Sequence, residues 1–463
     1  MKKVSFSVLP RGPHRRVSDV PLPDKSLVAG AIQATPSPLS RRRFSSGSAA
    51  TSASVIRGGQ STFGQTLFNS IAILLGVGML SEPLAFAYAG WGIGTFLIFS
   101  YGFMSCYTAK ILARIILSDH RLRSYSDIGR KAFGPKITPL ISAMFCLELF
   151  TVCVILVTLY GDSLHALLPR YPSNVFKGWG NILLIPTVFL PLSLLSYTSI
   201  IGIISTVLMV IVIFVDGFTK TESPGSLWKP AHTKFGVTSY GELGVAFGLF
   251  MAGFSGHAVI PSLARDMSNP TRFNTMINWA FIVATFIYSM IGYAGYLMFG
   301  NDISDEISMD LLRTPGYNPL LNQICLWMLV LSPLSKFALN TQPLHATIEI
   351  LLGIDKHISS PEDLADKPDG LSIASIWASW DRKRILRVAQ RVLLTGAIVM
   401  VSILVPDFSS VMAILGSFSA FMLSIVGPVL AKVMIERHCS IFDGVIIVIG
   451  IVMAAWGTLA AFT

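Results

Sequence analysis

An all-α membrane protein of about eleven transmembrane helices is the fold that this sequence predicts, on three observations. Of its 463 residues, 52% are apolar and only 13% are charged, where a soluble domain carries roughly a quarter charged residues; the mean hydropathy is +0.64. Runs of about 20 apolar residues recur from Leu67 onward, each long enough to cross a hydrocarbon core of ~30 Å. The basic residues, finally, gather in alternate connections between these runs. A soluble protein built of buried helices needs charged faces between its apolar runs, and this chain lacks them.

The first 64 residues stand apart. They are rich in Arg, Ser and Pro and have no hydrophobic periodicity, so they cannot bury enough apolar surface to offset the entropy of ordering the chain. A disordered, basic, cytosolic tail is expected over 1–64, ahead of a transmembrane domain over 65–463. No apolar core of a signal peptide lies in the tail, so the first span is expected to act as an uncleaved anchor. The strings Arg15-Arg16-Val17-Ser18 and Arg42-Arg43-Phe44-Ser45 have the basic-basic-x-Ser pattern that a basophilic kinase reads, which makes Ser18 and Ser45 candidate phosphorylation sites. The plainer reading is a solvated basic tail that helps to fix orientation.

Eleven spans follow: 66–89, 92–117, 138–161, 180–197, 199–217, 241–263, 276–299, 319–345, 388–405, 408–434 and 441–461. Several are parted only by a turn, as at Gly90-Trp91-Gly92 and Pro406-Asp407. With the N-terminus in the cytosol and each span reversing the chain, 28 of the 35 Lys and Arg fall on the cytosolic side. Arg170, Lys177, Lys220, Lys229, Lys234 and Arg313 fall opposite, and Lys336 lies inside a span. That bias follows the positive-inside rule, and one span more or fewer would scramble it. A cytosolic loop over 346–386 and a C-terminus on the non-cytosolic side follow. The net charge of +10 therefore tracks loop sidedness, and nucleic acid is not an expected partner. The five cysteines (Cys106, Cys146, Cys153, Cys325, Cys439) sit in or beside apolar runs without metal or redox spacing, as small core residues do.

Two spans carry the pattern of broken helices. Span 1 contains Gly76-Val77-Gly78 with Pro83 five residues on, and span 6 contains Gly253-Phe254-Ser255-Gly256 with Pro261 five residues on. Glycine lowers the cost of leaving helical geometry, and proline removes a backbone donor. Unpaired carbonyls and amides at membrane depth are tolerated only where they line a polar cavity. A half-helix N-terminus there holds a carboxylate and unwound carbonyls hold an ammonium or a cation, the recognition that a zwitterionic amino acid requires. The competing reading is close helix packing through small residues. Two such spans, five apart, fit an inverted repeat of spans 1–5 and 6–10.

Ionisable residues within spans are functional candidates. Lys336 lies mid-span, too deep to snorkel easily, and either supplies a fixed ammonium in place of a coupling cation or pairs with a nearby carbonyl or carboxylate. Glu148 is flanked by apolar residues and either exchanges a proton or pairs. His257, just past the second break, either carries a proton or braces the unwound turn. No phosphate-binding Gly-rich loop with Lys-Ser/Thr, no metal-ligand cluster and no Gly-x-Ser-x-Gly elbow occurs, so neither an ATP-driven pump nor an enzyme is expected, and no cofactor, metal or catalytic residue is assigned.

The string Asn69…Gly76-Val77-Gly78-Met79-Leu80-Ser81-x-Pro83 with Tyr88-Ala89-Gly90-Trp91 resembles the first helix of the amino acid/auxin permease family. Ser124-Tyr125-Ser126-Asp127-Ile128-Gly129 with Ala132-Phe133-Gly134 resembles its loop between helices 2 and 3. Leu159-Tyr160-Gly161-Asp162-Ser163-Leu164, Ser223-Pro224-Gly225-Ser226-Leu227 and Gly256-His257-Ala258-Val259-x-Pro261 are similar to the vacuolar amino acid transporter branch found in fungi, itself related to vesicular inhibitory amino acid transporters. The resemblance covers about 65–461. It implies a LeuT-like fold of ten core helices plus one, neutral or broad amino-acid substrates, and proton antiport that loads the vacuole from the cytosol. It carries substrate contact onto Asn69, Gly76, Val77, Gly78, Gly253, Phe254, Ser255 and Gly256. Glu82, ahead of Pro83, departs from the small or apolar residue of many relatives. Two other readings remain: an exporter that releases amino acids to the cytosol by proton symport, and an amino-acid sensor that signals through its tail.

Overall fold

The structure, a computed structural model, describes residues 59, 61–122, 124–189, 192–354, 373–405 and 407–462. Residues 1–58 and 60 of the expected tail, with Ser18 and Ser45, and residues 355–372 of the loop placed between spans 8 and 9 lie outside the described residues.

Helix α1 (Phe63–Leu74) starts at a capping box, Thr62 accepting from Gln65 N while the Gln65 side chain returns to the Thr62 amide. It stops at Leu75, beyond which Gly76 is extended and Val77–Leu80 form one tight 3₁₀ turn. Helix α2 (Glu82–Ser118) resumes with Pro83 in its first turn, where a missing amide costs nothing. At Gly90 the backbone takes φ +72°, and a Cβ there would lie 2.5 Å from Gly236 O, so only glycine lets the chain reverse between the first two expected spans.

Next come α3 (Tyr125–Phe133), α4 (Thr138–Leu167), α5 (Ser173–Thr187) and α6 (Leu192–Thr219). The sixth expected span is again divided, into α7 (Tyr240–Gly253), a 3₁₀ turn at His257–Val259, and α8 (Ile260–Asp266). The remainder is α9 (Phe273–Phe299), the short α10 (Ile307–Arg313), α11 (Pro319–Leu351), α12 (Ile373–Leu404), α13 (Phe408–Ile414), α14 (Gly427–Glu436) and α15 (Ile441–Ala461). Between α13 and α14 the chain widens into a π-helix over Leu415–Val426.

Among the described residues, nine helical stretches are long and apolar enough to cross a bilayer. The eleven expected spans exceed that number for a physical reason. The first is cut so that α1 has only 12 residues, and α5 has 15, about 18 and 22 Å at 1.5 Å per residue.

Small residues bring backbones together where α7 meets the π-helix. A Cβ on Gly416 would lie 1.7 Å from Gly248 O, and one on Gly248 would lie 2.3 Å from Ala413 O; such approach gives dispersion and dipole contact in a medium with little hydrophobic drive between helices. At one end of the bundle Lys432 pairs with the fully buried Asp443 at 2.8 Å, and Tyr107 Oη donates to the same carboxylate at 2.9 Å. This ties α2, α14 and α15 together.

Gly416→Val forces the π-helix off α7, an overpacking cost of ~1–3 kcal/mol or more, and is expected to lower the thermal unfolding midpoint of detergent-purified protein by several degrees. Gly396→Ala, whose Cβ meets nothing within 4 Å, is expected to leave the midpoint unchanged or raise it slightly. Equal midpoints for the two variants would contradict the packing described.

Candidate functional site

The two interruptions meet. A Cβ on Gly78 would lie 2.8 Å from Gly253 Cα and 3.0 Å from its nitrogen, so the unwound turn of span 1 rests directly on the end of α7. Gly256, at φ +130°, turns the chain beyond α7 toward α8, and a Cβ there would stand 3.0 Å from Ile73 Cγ2. Unwinding strands main-chain groups. The last helical bond of α1 runs from Leu75 N to Ile71 O, and Gly76 N turns back to Leu74 O, so the carbonyls of Ala72 and Ile73 lose their helical donors. In span 6 the first closing bond of the tight turn is Val259 N to Gly256 O, which leaves the amides ahead of it without an intrahelical acceptor.

Tyr288 of α9 closes the crossing. Its buried hydroxyl donates to Gly253 O at 2.8 Å and also to Leu74 O, bridging both interrupted helices, and its ring meets Phe254 edge-on at 5.3 Å. Beside it the Glu82 carboxyl is completely buried, its Oε1 2.7 Å from the position of a Cβ on Gly253.

The two ends of the bundle differ. At the Gly90 end, Phe86 packs on Phe250 at 5.1 Å and on Tyr293 at 5.0 Å, and Trp91 lies 4.8 Å from Tyr296. The segment after α6 lies over these rings, with Trp91 N on Lys234 O at 3.1 Å and Lys234 N on Tyr296 Oη at 2.7 Å. At the Phe63 end a cavity of about 660 Å³ is open, lined by Ser61, Gly64, Gln65, Phe68, Asn69 and Asp266. A small apolar cleft of about 30 Å³, lined by Phe68, Ile71, Ala72, Leu75, Ile203, Thr206 and Val207, lies between α1 and α6.

The expected substrate-contacting residues fall in this region, graded by depth. Asn69 is exposed on the cavity wall; Gly76, Val77, Ser255 and Gly256 are half-buried; Gly78, Gly253 and Phe254 are buried in the crossing itself. The three expected coupling residues are dispersed. His257 is buried and held to α2: its Nε2 donates to Ser105 O at 2.9 Å and lies 3.0 Å from Thr108 Oγ1, and since a carbonyl only accepts, the ring proton is on Nε2. Lys336 lies on the α6–α11 seam, its Cε 2.6 Å from the position of a Cβ on Gly202. Glu148 is buried on α4, and its Oε2 has no hydrogen-bond partner. Tyr288 escaped sequence reasoning because a tyrosine in an apolar span reads equally as packing; its only signal is that it lies mid-span, away from the interface where tyrosine usually sits.

Helices interrupted at matching places in two halves of a bundle, with main-chain groups stranded at both interruptions, are the LeuT-like membrane transporter fold. Solved structures agree on the fold: MhsT in complex with L-phenylalanine superposes with a TM-score of 0.54 at 10% identity, over 88% of this chain and all of that one. Mhp1 in a closed conformation, a nucleobase-cation-symport-1 family transporter, gives 0.50 at 13% identity over 88% and 93%. The chain belongs to the transmembrane amino acid transporter protein family, whose pattern matches residues 59–463. It is 29% identical over 416 residues to amino acid transporter AVT1E of Arabidopsis thaliana, covering 86% of this chain and 73% of that protein. It is 27% identical to AVT1D of the same plant, over 87% and 70%. It is 25% identical to the vesicular GABA transporter of Caenorhabditis elegans, over 81% and 72%.

Tyr288→Phe leaves the Leu74 and Gly253 carbonyls without their shared donor. A loss of ~1–3 kcal/mol is expected, read as a lower unfolding midpoint in detergent. Tyr293→Phe, which loses only a part-buried bond to Thr95, serves as control; equal midpoints would remove Tyr288 as the bridge.

Proposed function

We propose that this chain is a proton-coupled secondary transporter that moves neutral amino acids across the vacuolar membrane, by H⁺/amino acid antiport into the vacuole. The observation that carries the reading is the crossing of the two interrupted helices. Carbonyls freed at Ala72 and Ile73 suit an ammonium, and amides freed over Gly256–Ala258 suit a carboxylate, so one site complements both ends of a free amino acid. Asn69, Gly76, Val77, Gly78, Gly253, Phe254, Ser255 and Gly256 form the contact set in this reading. Phe254, an apolar wall, favours a neutral side chain in the substrate.

Membership in an amino acid transporter family and likeness to a vesicular GABA transporter support the substrate class and an organelle membrane. The charge bias of the connections supports a cytosolic N-terminus and a lumenal C-terminus. On that orientation the open cavity faces the cytosol, where an importer loads. Lys336 in this reading is a fixed ammonium standing for a coupling cation, His257 holds the unwound turn on α2, and Glu148 is a second acid within the membrane.

Reconstituted into proteoliposomes with an acidic lumen, with the tail outside, the full chain is expected to accumulate tritiated neutral amino acids (alanine, leucine, phenylalanine), and a protonophore is expected to abolish the accumulation. Gradient-driven loss of preloaded amino acid would instead identify an exporter. Gly76→Leu is expected to lower uptake at least tenfold while the protein inserts normally. The new Cβ meets only the Leu74 and Ile73 carbonyls at 3.8 and 3.9 Å, so the backbone has room and the larger side chain fills the substrate position. Wild-type uptake by this variant would move the site elsewhere.

A further inference from the structure

We propose that Glu82 is the group that takes up and releases the coupled proton, an inference that rests on the proton-coupled reading above. Its carboxyl is 0% exposed, and neither oxygen has a hydrogen-bond partner. An isolated carboxylate buried without a donor costs far more than the neutral acid, so this packing accepts Glu82 only with its proton on. As the first residue of α2 it directly follows the unwound turn, and a carboxylate at a helix start ordinarily lies against the free amides of the first turn. Here it does not.

What surrounds the acid is as telling. Its Oε1 abuts Gly253, and its Cβ lies 3.6 Å from the position of a Cβ on Gly292 in α9. The titratable group that faces it is Tyr288, whose hydroxyl proton is already committed to the carbonyls of Leu74 and Gly253. Among the described residues no cation or second acid faces it from α7, α9 or the 3₁₀ turn. His257 is bonded to Ser105 and Thr108 of α2, Lys336 lies on the α6–α11 seam and Glu148 on α4.

Glu82 is therefore held on one interrupted helix against the end of the other, α7, and against α9. Its ionisation and the separation of the two interrupted helices are linked: the carboxylate form requires the Gly78–Gly253 contact to open and admit water. One proton is moved in two transfers: from hydronium on one side to a carboxylate oxygen, and from that oxygen to water on the other side once the crossing has opened there. No other bond is made or broken. A proton load that exists only in one packing of the crossing is what couples a gradient to alternating access.

The test uses the full chain in proteoliposomes with the same tritiated amino acids, comparing accumulation driven by an imposed pH gradient with counterflow at symmetric pH. Wild type is expected to do both. Glu82→Gln is expected to lose the gradient-driven accumulation, tenfold or more, with counterflow still measurable. A gradient response equal to wild type in Glu82→Gln overturns the proposal, whereas a wild type indifferent to the gradient overturns the proton-coupled reading itself. Should Glu82→Gln not fold, Glu82→Asp carries the test: it keeps an acid at an altered depth, so the pH midpoint of gradient-driven uptake must move relative to wild type. An unmoved midpoint overturns the proposal.

Discussion

Two glycines, Gly78 and Gly253, touch main chain to main chain in the middle of this protein, and the rest of the crossing is built around that contact. Neither position has room for a methyl group, and neither segment is free to continue as a regular helix through the other. Because the helices stop there, carbonyls and amides are released at a depth where lipid offers them no partner. Tyr288 satisfies part of the demand by donating to one carbonyl from each helix. A further glycine pair, Gly248 against Gly416, sets α7 on the π-helix, so that the half-helix carrying Gly253 is located from both sides.

The two ends of the bundle use different chemistry. At the Gly90 end, Phe86, Trp91, Phe250, Tyr293 and Tyr296 interlock, and offset and edge-on ring contacts add to the apolar area they bury. At the Phe63 end, Phe68 and Asn69 are exposed around the open cavity. One end of the bundle is thus capped by rings, and the other holds an open cavity beside the entry to α1.

Much of this was legible in the sequence, because glycine and proline act through the backbone, where their effects are local. Gly76, Gly78 and Pro83, with Gly253, Gly256 and Pro261, marked both interruptions to within a residue or two, and Gly90 marked the reversal between the first two spans. Residues whose significance depends on distant neighbours were less readable. Tyr288 lies more than 200 positions from Leu74 in the chain, and nothing local distinguishes it from a tyrosine that merely packs. Glu82 looked like an electrostatic oddity beside a proline until the fold placed it against Gly253. The shortness of α5 was likewise hidden, since hydropathy records apolar length and not where a helix stops.

The main chain also forms a strap at the Phe63 end. Gly59 N bonds Met267 O, Ser61 N bonds Asp266 O, and Ser268 N returns to Ser61 O, so the entry to α1 is laced to the exit of α8. The two half-helices that flank the cavity mouth are thereby yoked, and either they swing as one jaw or the lacing must come undone first.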